Sequence, residues 1–147
     1  MTDPTIYRPG EGELHELPIG KFWIKATAEA TEGRFYMSEA QLEPGVAGPP
    51  PHTHQNMVDM FYVLEGTLSV LAGEDWQDLP AGSFAAVPPG NVHTFANRSD
   101  EPVRFLNLGV PGGFETYMRE FAEAMNAGQL ERLPELFERF DIQVAPG

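Results

Sequence analysis

The sequence predicts an all-β domain, an antiparallel sandwich or barrel, that ends in a short helical tail. Between residues 21 and 110 the apolar residues fall in many short runs, which glycines and prolines separate from one another. No segment with a helical period lies between these runs, and this pattern is typical of antiparallel sheets. The 147 residues suffice for one domain with a hydrophobic core, and are too few for two domains of ordinary size.

The first two strands are predicted at residues 22–28 and 34–42, with a turn at residues 29–33 between them. Residues 1–20 are rich in glycine, proline and glutamate, and we interpret them as an arm packed over the barrel. His15 lies in this arm, and we assign it no role. Further strands are predicted at residues 60–64, 67–72, 76–79, 83–87, 93–97 and 103–108.

The strand at residues 60–64 is apolar on both of its faces. Phe61 and Val63 point to one side, and Met60 and Tyr62 point to the other. A strand with one face in water normally alternates apolar and polar residues. We therefore expect the arm, the C-terminal helices or a second subunit to cover the outer face of this strand.

The spacing of apolar residues changes to a helical period after residue 112. Five apolar side chains follow the helical spacing i, i+3, i+4, i+7 and i+11, namely Phe114, Tyr117, Met118, Phe121 and Met125. They predict an amphipathic helix that ends near Gly128. A second helix is predicted at residues 133–140, with Pro134 in its first turn. We interpret the aromatic stripe of the first helix as a packing surface.

Three of the four histidines lie in two segments that are framed by glycines and prolines. His52 and His54 are two residues apart, so on an extended strand their side chains point to the same face. Asp59 follows five residues later, and His93 opens a strand after a Pro-Pro-Gly turn. Three imidazoles and one carboxylate that converge from neighbouring strands can bind a divalent transition metal.

These two segments resemble the paired signature motifs of the cupins, small β-barrels of the jelly-roll type. The first motif contains a glycine, His-x-His, three or four residues, Glu, six residues and Gly; here His52-x-His54 is followed by four residues, Asp59, six residues and Gly66. The second motif is matched at every position, by Gly82, Pro88, Gly90, His93 and Asn97. A weaker resemblance to short microbial cupins similar to quercetin dioxygenases covers most of residues 22–126.

The resemblance implies a single cupin domain over residues 1–147. It would comprise the arm at 1–20, a jelly-roll barrel (a double-stranded β-helix) at 21–110 and the helices at 112–141. The resemblance also implies one divalent transition metal per chain, bound by His52, His54, Asp59 and His93. Imidazole and carboxylate ligands together suit Fe, Mn, Ni, Cu or Zn, so they do not identify the metal.

Asp59 stands where the family has glutamate. The aspartate side chain is shorter by one C–C bond, about 1.5 Å. Either the strand shifts inward so that Asp59 binds the metal directly, or a water molecule bridges the gap. In the second case Asp59 would be a base beside a three-histidine site.

Three functions are compatible with these residues. The first is a metal-dependent dioxygenase acting on a small phenolic or enediol-type substrate, in which Asp59 takes the catalytic part of the family's glutamate and accepts the hydroxyl proton of the substrate. The second is a non-catalytic protein that binds a small molecule or a metal, and the third is a metal-dependent isomerase or hydrolase. Only the first consumes O₂. We expect Phe61, Val63 and Phe95 to line the substrate pocket.

The composition restricts partners and location. The net charge of −13 repels phosphate backbones, which argues against nucleic-acid binding. No apolar run approaches the roughly 20 residues that a membrane span needs, and the N-terminus carries no signal-peptide pattern. The absence of cysteine suits a reducing compartment. We therefore expect a cytoplasmic protein without nucleic-acid or membrane partners. The strand at residues 60–64, apolar on both faces, and the resemblance to small cupins, which commonly dimerise, together predict a homodimer.

Overall fold

The computed structural model describes residues 2–146 of the chain. These residues form eleven β-strands, three α-helices and one 3₁₀-helix at Leu130–Arg132. The strands are β1 (Glu13–Leu17), β2 (Gly20–Ala26), β3 (Tyr36–Leu42), β4 (His52–Thr53), β5 (Val58–Glu65), β6 (Thr67–Ala72), β7 (Asp75–Pro80), β8 (Phe84–Val87), β9 (His93–Ala96), β10 (Val103–Val110) and β11 (Gln143–Val144). The helices are α1 (Ala28–Thr31), α2 (Phe114–Asn126) and α3 (Leu133–Arg139).

The strands form two antiparallel sheets. The larger sheet has the order β1-β2-β3-β10-β5-β8, and the smaller sheet has the order β11-β4-β9-β6-β7. Within residues 2–146 the strands therefore form two separate sheets, not one closed hydrogen-bonded barrel. This arrangement fits the jelly-roll fold, and the predicted all-β fold with a helical tail is confirmed.

The hydrophobic core lies between the two sheets. Phe61 and Val63 of β5 and Phe105 of β10 meet Leu68 and Val70 of β6, and none of these side chains is more than 4% exposed. Burying a side chain of this kind stabilises the fold by about 1.5–3 kcal/mol. Because side chains alternate along a strand, the register that buries Phe61 and Val63 also turns the side chain of residue 59 inward.

The N-terminal segment differs from the predicted arm because part of it joins the larger sheet. Glu13–Leu17 form β1, an edge strand that pairs with β2 along its whole length. Leu14 remains 46% exposed, and Leu17 is the one apolar residue of this strand that packs against the core. The sequence therefore lacked the alternating pattern by which a half-buried strand is recognised.

The turn predicted at residues 29–33 overlaps the single helical turn α1, which begins one residue earlier, at Ala28. Thr27 caps it, since its hydroxyl accepts a hydrogen bond from the backbone N–H of Ala30. Glu32 ends it in the left-handed conformation, with φ at 54°. The two caps satisfy backbone groups that the ends of so short a helix would otherwise leave without partners.

The two predicted C-terminal helices are confirmed as α2 and α3. Ala122 of α2 packs against Phe22 and Ile24, the inward-facing residues of β2, and α3 packs against α2. The helices therefore cover part of the inner side of the larger sheet, at β2 and β3. None of the helices within residues 2–146 is long and apolar enough to cross a membrane.

The outer face of β5 is only partly covered. Tyr62 is 40% exposed, and Phe84, which lies opposite it on β8, is 59% exposed. The helices pack on the inner side of the same sheet, so they cannot cover these two residues. Of the three covers expected from the sequence, the C-terminal helices are therefore excluded for these two residues.

Candidate metal centre

The structure brings together the four predicted metal-binding residues. His52 on β4 lies opposite His93 on β9, and their ring centroids are 4.5 Å apart. The ring of His54, just after β4, lies 4.8 Å from that of His52 and 5.1 Å from that of His93. Asp59 comes from β5 of the other sheet, so the cluster lies between the sheets. One ligand atom of each residue lies within 4.8 Å of the others, and all four residues are buried.

Each of the three histidines is oriented by a backbone carbonyl. The Nδ1 atoms lie within hydrogen-bonding distance of Pro50 O for His52 (2.8 Å), Asn91 O for His93 (3.0 Å) and Asp141 O for His54 (2.9 Å). A carbonyl oxygen can only accept, so Nδ1 carries the ring proton in all three rings. The Nε2 lone pairs are thereby left to face the centre of the cluster. This is the arrangement in which histidine binds a metal through Nε2.

The carboxylate of Asp59 reaches the histidines in spite of its short side chain. Oδ2 of Asp59 lies 2.9 Å from Nε2 of His93 and 3.4 Å from Nε2 of His54. The other oxygen, Oδ1, accepts a hydrogen bond of 2.8 Å from the amide of Asn107 on β10. Asn107 thus holds one oxygen so that the other faces the imidazoles. This placement favours direct metal binding over a bridging water.

Burial and neighbouring groups set the charges in the cluster. Burial, assisted by the two neighbouring imidazoles, lowers the pKa of His52 to about 4. Burial alone would raise the pKa of Asp59, but the imidazoles of His54 and His93, when protonated on Nε2, outweigh it and lower that pKa to about 2. Burial would likewise lower the pKa of His54, but the Asp59 carboxylate and the Asp141 carbonyl raise it on balance. At neutral pH Asp59 is therefore an anion and His52 is neutral, the forms that bind a cation.

The donor set fits a divalent metal. Nε2 of His54 is buried and has no hydrogen-bond partner among residues 2–146. A buried polar atom without a partner costs about 1–3 kcal/mol. The contact between Nε2 of His93 and Asp59 brings two acceptors together when Nδ1 carries the ring proton, and a shared cation would satisfy both. The cluster could therefore hold a metal ion on three Nε2 atoms and one carboxylate oxygen.

The C-terminal segment after α3 supports His54. Asp141 adopts a left-handed conformation with φ at 61°, and its carbonyl faces the His54 ring. Its carboxylate accepts hydrogen bonds from the backbone N–H groups of Gln55 at 2.8 Å and Asn56 at 2.9 Å. The next residue, Ile142, is buried, and β11 then pairs with β4, which carries His52. The segment therefore clamps the loop that contains His54.

A cavity of about 100 Å³ opens from the cluster towards the helices. Of the three predicted pocket residues, Phe95 lines this cavity. Phe61 and Val63 do not line it: both are fully buried in the core between the sheets, with Phe61 packed against Phe95 at 5.4 Å between ring centroids. Their inward register was predicted, but β5 runs past the cavity into the core, so that only Asp59 at its start reaches the cavity.

Sequence reasoning missed part of this site. Asn107 has the inward parity of Val103 and Phe105 on β10, and a polar residue at such a position was a usable signal. Nothing in the sequence indicated the role of Asp141, because the group that contacts His54 is its backbone carbonyl, which every residue has. The aromatic stripe of α2 packs as expected, and some of its members also line the cavity: Phe114, Tyr117, Met118 and Phe121.

The arrangement of two sheets around this cluster has known counterparts. Residues 38–109 match the family model described as the cupin domain. The chain contains a cupin domain. All four clustered side chains lie within the matched residues.

The proteins to which this chain is similar differ in their activities. Quercetin 2,3-dioxygenase of Bacillus subtilis (strain 168) is 24% identical over 96% of this chain and 44% of that protein. The structure of KdgF from Halomonas sp. matches 78% of this chain and 99% of its own with a TM-score of 0.67 and 16% identity, which shows the fold alone. A sugar phosphate isomerase of the cupin superfamily from Silicibacter pomeroyi matches 74% of this chain and 71% of its own, with a TM-score of 0.55 and 25% identity. The chain spans less than half the length of the relatives that it matches in sequence.

Proposed function

We propose that this cupin is a metal-dependent dioxygenase acting on a small phenolic or enediol-type substrate. The observation that carries the proposal is the buried cluster of three imidazoles and one carboxylate at the wall of a cavity lined by aromatic side chains. The similarity to quercetin 2,3-dioxygenase over 96% of this chain supports the reaction class. The fold by itself does not, since one fold hosts many reactions.

The protein's residues would have three tasks in this reaction. His52, His54 and His93, together with Asp59, would hold one divalent transition metal, which would supply binding of the substrate oxygens and electron transfer to O₂. Phe95 and the aromatic residues of α2 would exclude water and orient the ring of the substrate. Asn107 would keep the Asp59 carboxylate in its position through the hydrogen bond to Oδ1.

Asp59 would also accept the hydroxyl proton of the substrate, at Oδ2. The pKa of Asp59, lowered to about 2, makes it a weak base. A weak base works best on an acidic hydroxyl, such as that of an enediol or of a phenol beside a carbonyl group. The lowered pKa keeps Asp59 ionised at neutral pH, so its carboxylate is available as an anionic ligand.

Oxygen uptake tests the proposed reaction. The purified protein should contain one divalent metal per chain by elemental analysis, and should consume O₂ when a flavonol or an enediol is added. Metal without O₂ uptake across such substrates would contradict the dioxygenase and favour one of the other two functions.

Substitution of Asp59 tests its role. Asp59→Asn keeps the size of the side chain but removes the anion, so metal affinity should fall clearly and O₂ uptake should stop. Asp59→Glu should bind metal no better than the wild type, because the extra methylene crowds a site shaped around aspartate. Markedly tighter metal binding by the glutamate variant would show that Asp59 is not a direct ligand.

A metal-dependent isomerase is the second candidate, because a sugar phosphate isomerase of the same superfamily has a similar structure. The cavity at the cluster argues against a phosphorylated substrate. Its lining contains neither lysine nor arginine, so a phosphate held away from the metal would have no cationic side chain beside it, and burying it there is costly. Isomerisation without O₂ consumption would favour this candidate.

We also propose that the chain forms a homodimer through the outer face of β5 and β8. Tyr62 and Phe84 form a partly exposed apolar pair there, and exposed apolar surface of this kind marks interaction sites. An uncharged patch can meet its own copy across a twofold axis even though the chain has a net charge of −13. Sedimentation at micromolar concentration should give the mass of two chains, and Phe84→Glu should reduce it to one. A wild-type mass of one chain would contradict the dimer.

A further inference from the structure

A second and larger cavity adjoins the metal centre. This chamber has a volume of about 280 Å³ and lies between the larger sheet and the helices. It shares six lining residues with the smaller cavity: Pro49, Phe95, Asn107, Met118, Phe121 and Phe137. The two spaces are therefore neighbours, and a molecule that extended from the chamber into the smaller cavity would have one end beside the metal-binding cluster.

The lining of the chamber is almost entirely apolar. Lys21 is the one ionisable side chain among the residues that line it, and its ammonium group lies 5.2 Å from the centre of the Trp23 ring. That cation–π contact engages the charge outside the chamber. Ser38, Gln41 and Asn107 are the polar residues of the lining. The chamber thus offers no charged partner to a buried anion.

The helical tail supplies one wall of the chamber. α2 contributes Met118, Phe121 and Met125, and α3 contributes Leu133 and Phe137. The opposite wall comes from the sheet and includes Ala40 and Phe105. Leu130, between the two helices, also lines the chamber and is 57% exposed. The chamber therefore faces solvent on this side.

We propose that this chamber binds the uncharged, hydrophobic body of a substrate whose oxygen-bearing head reaches the metal centre. The inference rests on the proposed function and narrows its substrate class. A dry apolar cavity of about 150 Å³ accommodates benzene. The chamber of about 280 Å³ therefore fits a fused two-ring system or a ring with a short alkyl chain, and it disfavours sugars and anionic bodies.

A matched pair of diols tests the proposal. Catechol and 2,3-dihydroxynaphthalene carry the same chelating head, and the second adds one apolar ring. Both would be titrated anaerobically into the Zn²⁺-loaded protein, with calorimetry as the readout, so that no turnover takes place. Burial of the additional ring should strengthen binding by about tenfold or more. Equal affinities for the two diols would overturn the proposal.

Variants that fill the chamber test whether the tighter binding of the naphthalene diol arises there. Ala40 lines the chamber but not the smaller cavity, so Ala40→Leu should remove the advantage of the naphthalene diol and leave catechol binding unchanged. Ala81→Leu makes the same change at an exposed position in the turn between β7 and β8 and should behave like the wild type. Met125→Trp fills the chamber from α2 and repeats the test if Ala40→Leu does not fold. An unchanged naphthalene advantage in both filling variants would overturn the proposal.

Naphthalene itself separates the chamber from the proposed reaction. It has no chelating head, and its binding can be followed by equilibrium dialysis with or without Zn²⁺. If neither diol binds but naphthalene binds the wild type and not Ala40→Leu, the chamber stands and metal chelation of the substrate fails. If naphthalene does not bind and the two diols bind equally, chelation stands and the chamber proposal fails.

Discussion

Two of the histidines are held by their own loops, and the third is held from the far end of the chain. His52 and His93 each meet a carbonyl two residues upstream, that of Pro50 and that of Asn91. His54 instead meets the carbonyl of Asp141, 87 residues away. All three contacts select the same ring tautomer. Local turns therefore orient two of the histidine rings, and the C-terminal segment orients the third. All three rings nevertheless present the same nitrogen to the cluster.

The strongest expected effect comes from removing a ligand on the locally held side. His93→Ala should lose nearly all bound metal, because loss of a ligand exceeds the roughly 10–100-fold effect of losing an outer partner. Elemental analysis measures the metal, and circular dichroism should retain the β-sheet signal. His15→Ala changes the histidine outside the cluster and should keep full metal content. Full metal occupancy in His93→Ala would show that His93 is not a metal ligand.

Removal of the tail tests the distant support. A chain that ends at Phe140 loses the Asp141 carbonyl, so its metal affinity should fall by about 10–100-fold. Chelator competition measures the affinity. Ile142→Ala is the control, since it loses buried packing but keeps that carbonyl, and should lower stability more than affinity. Equal losses of affinity in both variants would show that the tail acts through packing alone.

A smaller effect is expected from the side chain of Asp141. Asp141→Gly keeps the carbonyl and suits the positive φ, but removes the bonds to Gln55 and Asn56. The free energy of unfolding should fall by about 1–3 kcal/mol, and metal affinity should fall only a few-fold, by about 2–5 times. Glu32→Gly changes the other left-handed acidic residue, whose side chain is exposed, and should not destabilise the fold. Comparable destabilisation by both variants would show that the bonds from the Asp141 carboxylate to Gln55 and Asn56 do not stabilise the fold.

The smallest effect should follow from Pro50→Ala. The carbonyl that orients His52 remains, and only the stiffness of the Pro49–Pro51 approach is reduced. Such a change alters stability by about 0.4–1 kcal/mol, so metal affinity should change by less than about fivefold. Titrating metal into this variant and into the chain that ends at Phe140 compares the two losses of metal affinity. A loss as large as that of the truncation would show that the local support is no more robust than the distant one.

Much of the site could be predicted because its signals are local. The spacing of His52 and His54, and the Pro-Pro-Gly turn before His93, predicted that the three imidazoles point to one side, although His54 lies just after β4. The parity of Asp59 with Phe61 turned its carboxylate towards them. The boundaries of α2 followed from its helical period and from Gly128, which adopts a φ of 67° at the end.

The sequence by itself determined the all-β class, the helical tail and the four residues of the cluster, because side-chain period and turn chemistry act between near neighbours. The tertiary structure decided which residues support the cluster and where a substrate can lie. Asn107 reaches Asp59 from a different strand, and Asp141 reaches His54 through a backbone atom that every residue possesses. The chamber is the space left between the sheet and two helices, and its volume depends on how these elements pack. Contacts between distant segments leave no period or motif in the chain, so they become visible only when the fold brings those segments together.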